Sequence, residues 1–224
     1  MSTTTEHQPL APIDMNKTPD AFTQVQAIAS ELEAINRAYF NKDRAKVMKA
    51  KIEAALALLD ERPLDLIQSK KEKADVLYYR GKCMDFLPEY TKQAEENLSK
   101  SVKLVPTKKE AWDALGHVYW KKQDIEQARK CFEGSLEQDD KNVNALRNLS
   151  MVLRQIVKSP NGEPLDESEL KKNYQLSISL ANKAIALDMS DSQSWYCLGN
   201  AHLTHFFTNN ESTSHLDSAL KAYA

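Results

Sequence analysis

Two arginines, Arg147 and Arg154, are the side chains of this sequence best suited to recognising a ligand. They are seven residues apart, about two turns of an α-helix, so both can face the same side. A guanidinium holds a carboxylate through two parallel hydrogen bonds, and Trp120 and Tyr196 offer flat apolar surface for neighbouring ligand side chains. The pattern favours recognition of an acidic group on a peptide. An alternative stays open here: both arginines could pair with acidic side chains of the chain itself.

The sequence gives little support to other chemistry. It contains no glycine-rich phosphate loop, nucleophile elbow or paired-carboxylate arrangement, so we predict no catalytic residue and no enzyme activity. His202 and His205 are one helical turn apart, but no carboxylate or thiol partner is evident nearby, and we predict neither a metal site nor a cofactor. A net charge of −2 does not favour nucleic-acid binding, and no apolar run is long enough to cross a membrane.

The arginines belong to a repeating helical pattern. One segment matches the tetratricopeptide spacing W-x2-L-G-x2-Y followed by A-x3-F. The residues that carry this spacing are Trp112, Leu115, Gly116, Tyr119, Ala128 and Phe132. Gly116 leaves room for the second helix of the hairpin, and Phe132 fills the space one turn after Ala128. Because one such hairpin cannot bury its own apolar stripe, we predict an all-α, right-handed superhelical solenoid of tetratricopeptide repeats.

The chain divides into three predicted regions. Residues 1–18 are polar and aperiodic, and we expect a disordered leader. Residues 19–72 should form N-terminal capping helices, the first over 21–40 and the second capped by Asn41 or Asp43 and ending before Pro63. Residues 73–224 should form an array of about four repeats, the last of them truncated.

Within this array, the second repeat spans about 109–142. Two hairpins are longer than the consensus. The third repeat carries about fifteen extra residues around a turn cluster at 159–164, and the fourth carries about eight, with its turn at 208–213.

The repeat pattern also predicts which side chains line the concave groove. Positions 5, 9 and 12 of each first helix face the hollow side, where such arrays bind peptides. The predicted peptide-binding residues are Asp113, His117, Trp120, Arg147, Met151, Arg154, Tyr196 and Asn200. The same rule places Tyr78, Lys82 and Asp85 on the inner face of the first repeat.

Three segments make the resemblance to a known family more specific. They are 110–124, 148–155 and 194–200, which read EAWDALGHVYWKKQD, NLSMVLRQ and SWYCLGN. Their sequences, together with the unusual insertions of the third and fourth repeats, closely resemble the tetratricopeptide repeat protein 5 (Strap) family. The resemblance covers nearly the whole chain after about residue 25 and is weaker before Lys73.

This resemblance implies a non-catalytic adaptor with one of two roles. One is recognition of nascent tubulin at the ribosome, leading to decay of the tubulin message, and the other is a stress-responsive transcription cofactor that assembles histone acetyltransferase complexes. In the first role, the residue matching Arg154 lies in the groove and meets the acidic residue of the tubulin motif. The family's acidic groove residues for the motif's arginine come from a later repeat, which this sequence does not contain. Both roles imply a cytoplasmic and nuclear protein.

A second function remains open. Co-chaperones with this fold grip the acidic tails of heat-shock chaperones through Lys and Asn at fixed inner positions, with Lys-x-x-x-Arg in the third repeat. The equivalent residues here are Lys82, His117, Arg147 and Met151, so the clamp is incomplete.

Overall fold

The fold consists of antiparallel helical hairpins stacked side by side. A computed structural model describes residues 21–37, 43–61, 63–159, 161–209 and 213–224. The helices are α1 (Ala21–Arg37), α2 (Arg44–Asp60), α3 (Lys70–Asp85), α4 (Lys92–Leu104), α5 (Lys109–Lys121), α6 (Ile125–Gln138), α7 (Val143–Leu153), α8 (Glu167–Leu187), α9 (Ser192–Asn209) and α10 (Ser214–Tyr223), with a 3-10 turn at Leu64–Leu66. The predicted disordered leader lies outside the described residues.

Neighbouring helices pack in chain order, which gives the predicted all-α superhelical solenoid. The hairpins α3–α4, α5–α6, α7–α8 and α9–α10 form the array, and first helices also contact one another along the inner side. The helices α1 and α2 pack on α3, where Val25, Leu59 and Val76 share one apolar cluster. Across the described ranges, the only strand-like pairing is a single bridge between Lys158 and Pro164.

The close approach at Gly116 is confirmed. A Cβ atom built on Gly116 would lie 2.6 Å from Cε1 of Phe132, whose side chain is completely buried. In the third repeat, Ser150 stands where glycine is preferred. Its hydroxyl donates to the carbonyl of Ser177 over 2.8 Å, and the Ser177 hydroxyl donates back to the Ser150 carbonyl over 2.8 Å. Serine is tolerated here because its buried hydroxyl has a partner.

Some predicted helix ends differ from the structure. Asp43 precedes α2, but its side chain makes no capping hydrogen bond, while Asn41 and residues 38–40 lie outside the described residues. The prediction that α2 ends before Pro63 is confirmed, since α2 ends at Asp60. The predicted turn at 208–213 is wrong at its first two positions, because α9 continues to Asn209.

The long insertion of the third repeat is shorter as a loop than the sequence suggested. The helix α8 already begins at Glu167, because Asp166 and Glu169 form a reciprocal capping box. The Asp166 carboxylate accepts from the Glu169 amide over 2.8 Å, and the Glu169 carboxylate accepts from the Asp166 amide over 3.1 Å. The insertion is therefore shared between the loop at 154–166 and the helix α8, which has 21 residues where α6 has 14.

Candidate peptide-binding groove

The concave side holds a groove of about 970 Å³ between α2 and the first helices of the array. Five of the eight predicted site residues line it: Asp113, His117, Trp120, Arg147 and Met151. The inner-face residues Tyr78, Lys82 and Asp85 line it as well. Arg154, Tyr196 and Asn200 form a separate group at the C-terminal end of the array. The eight residues therefore fall into two neighbouring groups.

Arg147 lines the groove, but its guanidinium is engaged by the chain itself. Nη1 lies 2.6 Å from Oδ2 of Asp191, and Nη2 donates to Oδ1 of Asn144 over 2.8 Å. Burial alone would raise the pKa of the Asp191 carboxyl, but the Ser194 hydroxyl and the Arg147 charge together bring it below its usual range. The alternative of internal pairing thus holds for Arg147.

Arg154 has the opposite environment. It follows the last residue of α7, with a partly buried side chain whose Nε is buried and makes no hydrogen bond. Over the part of the chain that the structure describes, no carboxylate lies within 4.0 Å of its guanidinium. Burial lowers the Arg154 pKa, and the other groups that act on it are the side chains of Cys197, Tyr223 and Tyr196 rather than carboxylates. An arginine keeps its charge in a protein, so among the described residues it is a cation without an anionic partner.

Two tyrosines stand beside Arg154. The rings of Tyr196 and Tyr223 have centroids 6.0 Å apart, and their side chains are 62% and 43% exposed. Asn200 connects them: its Oδ1 accepts from the Tyr223 hydroxyl over 3.1 Å, and its Nδ2 donates to the Tyr196 carbonyl over 3.0 Å. The sequence pattern gave Tyr223 only a packing role, in the place of Phe132 of the second repeat. Unlike phenylalanine, Tyr223 carries a hydroxyl that can form a hydrogen bond, and this difference could have indicated a place in a polar site.

The middle of the groove is a fixed aromatic and polar wall. Trp120 stacks on His117 with ring centroids 6.4 Å apart, and its Nε1 donates to Oε1 of Gln155 over 3.0 Å. Burial lowers the His117 pKa, so the ring is neutral near pH 7, and its Nε2 lies 3.0 Å from the Asn148 amide nitrogen. These contacts fix the orientation of both rings, so a ligand packed against them would lose less side-chain entropy on binding.

Asp113 places a carboxylate at the same wall. Its Oδ2 accepts from Asn142 over 2.8 Å, while its Oδ1 is buried and has no hydrogen-bond partner. Burial raises the pKa of this carboxyl above its usual range. A donor supplied by a ligand would stabilise its charged form.

The chaperone-tail alternative receives no support from Lys82. Its ammonium lies 2.5 Å from Glu33 and also stands over the Tyr78 ring, 5.5 Å from the centroid. Met151, which replaces the arginine of that clamp, packs against the apolar cluster around Leu198. Two clamp positions are thus occupied by internal contacts.

The histidines form a pair that the sequence did not predict. Nδ1 of His202 lies 3.0 Å from Nδ1 of His215, on the next helix, and the His205 ring is 4.1 Å from that of His215. No group of three or more potential metal ligands occurs among the described residues.

None of the described helices is both long and apolar enough to span a membrane.

The three cysteines are buried, unpaired thiols. Burial raises the pKa of Cys83 to about 11 and that of Cys131 to about 12. Such thiols are unreactive at neutral pH and serve as small packing residues.

Comparison with known proteins agrees with the repeats seen in the structure. The family model of the tetratricopeptide repeat matches residues 109–142, which are α5 and α6. The chain is 33% identical to tetratricopeptide repeat protein 5 of Bos taurus over 95% of its own length and 47% of that relative. It is 35% identical to the Homo sapiens protein over 90% of its own length and 45% of that relative. The chain thus spans about half the length of the relatives it matches.

Solved structures support the fold alone. A MamA protein superposes with a TM-score of 0.57 at 16% identity, covering 91% of this chain and 92% of that one. MamA from Desulfovibrio magneticus RS-1 superposes with a TM-score of 0.55 at 18% identity, covering 91% of this chain and 95% of that one. Together with the repeat geometry, these relationships show a chain of tetratricopeptide repeats that is similar to tetratricopeptide repeat protein 5 over most of its own length and about half of that of its relatives.

Proposed function

We propose that this protein is a non-catalytic adaptor that binds peptide segments on its concave side, with Arg154 as the anchor for an acidic ligand group. The observation that carries the proposal is the Arg154 guanidinium, which is partly buried, lacks a carboxylate partner among the described residues and lies beside Tyr196 and Tyr223. A charge held away from water without a partner costs stability, and a ligand carboxylate would remove that cost.

The two tyrosines determine what kind of ligand fits this anchor. Their exposed rings offer apolar surface next to a charge, so the favoured ligand has an acidic side chain followed or preceded by a large apolar one. The Tyr223–Asn200 hydrogen bond fixes one ring in place, which limits the loss of side-chain entropy when the ligand binds.

The more specific proposal is recognition of the tubulin amino terminus during tubulin message autoregulation. The resemblance of the run 148–155 to the family supports this proposal, because that run contains Arg154. The family's other role, as a stress-responsive cofactor of histone acetyltransferase complexes, uses the same protein-binding fold. We propose a cytoplasmic and nuclear protein on the same grounds.

A peptide-binding cycle tests the proposal. Two eight-residue peptides are compared. The first has the tubulin amino-terminal sequence, and the second has its acidic residue replaced by the matching amide. We expect Arg154→Ala to weaken binding of the acidic peptide by about tenfold to 150-fold, corresponding to about 1.5–3 kcal/mol for a hydrogen bond to a charged group. The amide peptide should be affected much less, because the ion pair is already absent.

Arg129→Ala is the matched control. Arg129 is an arginine of α6 that pairs with Glu126 and Glu133 of its own helix. Its replacement should leave the affinity unchanged. Equal affinity of the Arg154→Ala and unmodified proteins for the acidic peptide would remove Arg154 from the site.

A further inference from the structure

The charged side chains of the groove fall into a paired and an unpaired set. Three cations that line the groove are held by acids of the chain: Lys82 by Glu33 at 2.5 Å, Lys121 by Asp85 at 2.8 Å and Arg147 by Asp191 at 2.6 Å. These pairs join neighbouring helices and leave little net charge. They stabilise the groove rather than select a ligand.

The remaining charges lie on two different helices. Arg44 and Lys49 line the groove from α2, and Glu110 and Asp113 line it from α5, one helical turn apart. Within the described ranges, none of the four forms an ion pair within 4.0 Å; Arg44 bonds to Asn36, and Asp113 to Asn142. One wall of the groove is therefore basic and another is acidic.

The helix α3 separates these two walls, since it packs against both α2 and α5. Packed helices lie 8–10 Å apart, which puts the axes of α2 and α5 about 15–20 Å apart. An extended chain covers about 3.3–3.6 Å per residue, so the walls are about five residues apart along a bound peptide. A single zwitterionic residue cannot reach both.

We propose that this groove binds an extended segment of a partner protein that presents a basic side chain to Glu110 and Asp113 and, about five residues away, an acidic side chain to Arg44 and Lys49. The inference rests on the proposed peptide-binding role and adds the charge pattern of the ligand. The buried Oδ1 of Asp113 has no hydrogen-bond donor among the described residues, and the basic side chain supplies one. The acidic wall would repel a phosphate backbone, which argues against a nucleic acid in this groove.

Four peptide pools test the charge pattern on immobilised protein of residues 1–224. Each pool consists of capped octapeptides of mixed Ala, Leu, Gln, Ser and Tyr. In one pool, each peptide carries one Lys and one Glu with four residues between them, in either order. The other three pools carry Lys alone, Glu alone or neither. We expect the Lys–Glu pool to be retained about threefold to fivefold more than either single-charge pool, the range for partly exposed ion pairs.

Matched variants assign each preference to a wall. Glu110→Gln combined with Asp113→Asn should remove the preference for Lys, and Arg44→Gln combined with Lys49→Met should remove the preference for Glu. Lys46→Met on the exposed side of α2 and Glu137→Gln on the exposed side of α6 are the charge-matched controls and should change neither. Circular dichroism checks that every variant is folded.

The outcomes separate this inference from the proposed function. Equal retention of the four pools, or a charge preference that survives substitution of both charges of its wall, would overturn the inference. Binding of the tubulin peptide through Arg154 would stand in that case, since Arg154 lies outside the four charges. If instead the tubulin peptide does not bind while the Lys–Glu pool is retained preferentially, the Arg154 proposal is wrong and the charge pattern proposed for the groove stands.

Discussion

Replacing Gly116 by alanine tests the packing on which the array depends. The added Cβ would lie 2.6, 2.8 and 2.9 Å from three ring carbons of Phe132, all closer than carbon atoms approach without strain. The Phe132 ring is completely buried and has no room to withdraw. Overpacking of this kind costs about 1–3 kcal/mol. Three contacts below 3.0 Å against a completely buried ring place the cost in the upper part of this range, about 2–3 kcal/mol. Alanine in mid-helix returns about 0.8–1.0 kcal/mol relative to glycine, so the net loss in the free energy of unfolding should be about 1–2 kcal/mol.

Gly199→Ala is the matched comparison, because it creates the same contact against a different ring. The new Cβ would lie 2.5 Å from Tyr223, but that ring is 43% exposed and can move outward when its hydrogen bond to Asn200 breaks. The helix-propensity gain of about 0.8–1.0 kcal/mol offsets the loss of about 1 kcal/mol for that hydrogen bond, so Gly199→Ala should change stability by less than about 0.5 kcal/mol.

Urea unfolding followed by helical circular dichroism measures both variants. The midpoint should fall clearly for Gly116→Ala and stay nearly constant for Gly199→Ala. Adding Phe132→Leu to Gly116→Ala should cost less than the sum of the two changes, because the smaller side chain removes the clash. Equal midpoints for Gly116→Ala and the unmodified chain, or strict additivity with Phe132→Leu, would contradict the packing described here.

Two further predictions concern buried polar contacts. Ser150→Ala removes the hydroxyl that donates to Ser177 and should lower the free energy of unfolding by about 1–2 kcal/mol in the same assay; an unchanged midpoint would mean that the Ser150–Ser177 pair adds nothing. Asp191 has a lowered pKa in the folded chain, so its contribution to stability is present above its unfolded value of 3.8 and is lost as the pH falls through the folded value. Asp191→Asn should therefore reduce the loss of stability between pH 5 and pH 2.5, and parallel pH profiles for the two proteins would exclude this contribution.

The repeat fold follows from residues whose packing role depends on their own hairpin. Gly116 and Phe132 lie sixteen positions apart in the sequence, and one short turn brings them together, so the motif predicts their contact. The start of α8 after the third-repeat insertion was harder to predict from the sequence. Asp166 and Glu169 carry a capping box, but a turn cluster just before them drew the prediction toward a longer loop.

The candidate site depends more on contacts between repeats. Arg147 and Arg154 look equivalent in the sequence, yet Asp191, forty-four residues later, neutralises only the first. A position rule places both arginines on the inner face but does not show which carboxylates approach them from the next hairpin. The same limit explains Tyr223, whose ring stands beside Arg154 only because α10 folds back on α9.

A crystal structure of this chain with the acidic tubulin amino-terminal peptide tests recognition by Arg154 directly. We expect the peptide on the concave side, with a carboxylate oxygen within about 3 Å of the Arg154 guanidinium and an apolar side chain against Tyr196 or Tyr223. A peptide bound on the outer helices, or bound in the groove with Arg154 still unpartnered, would contradict it.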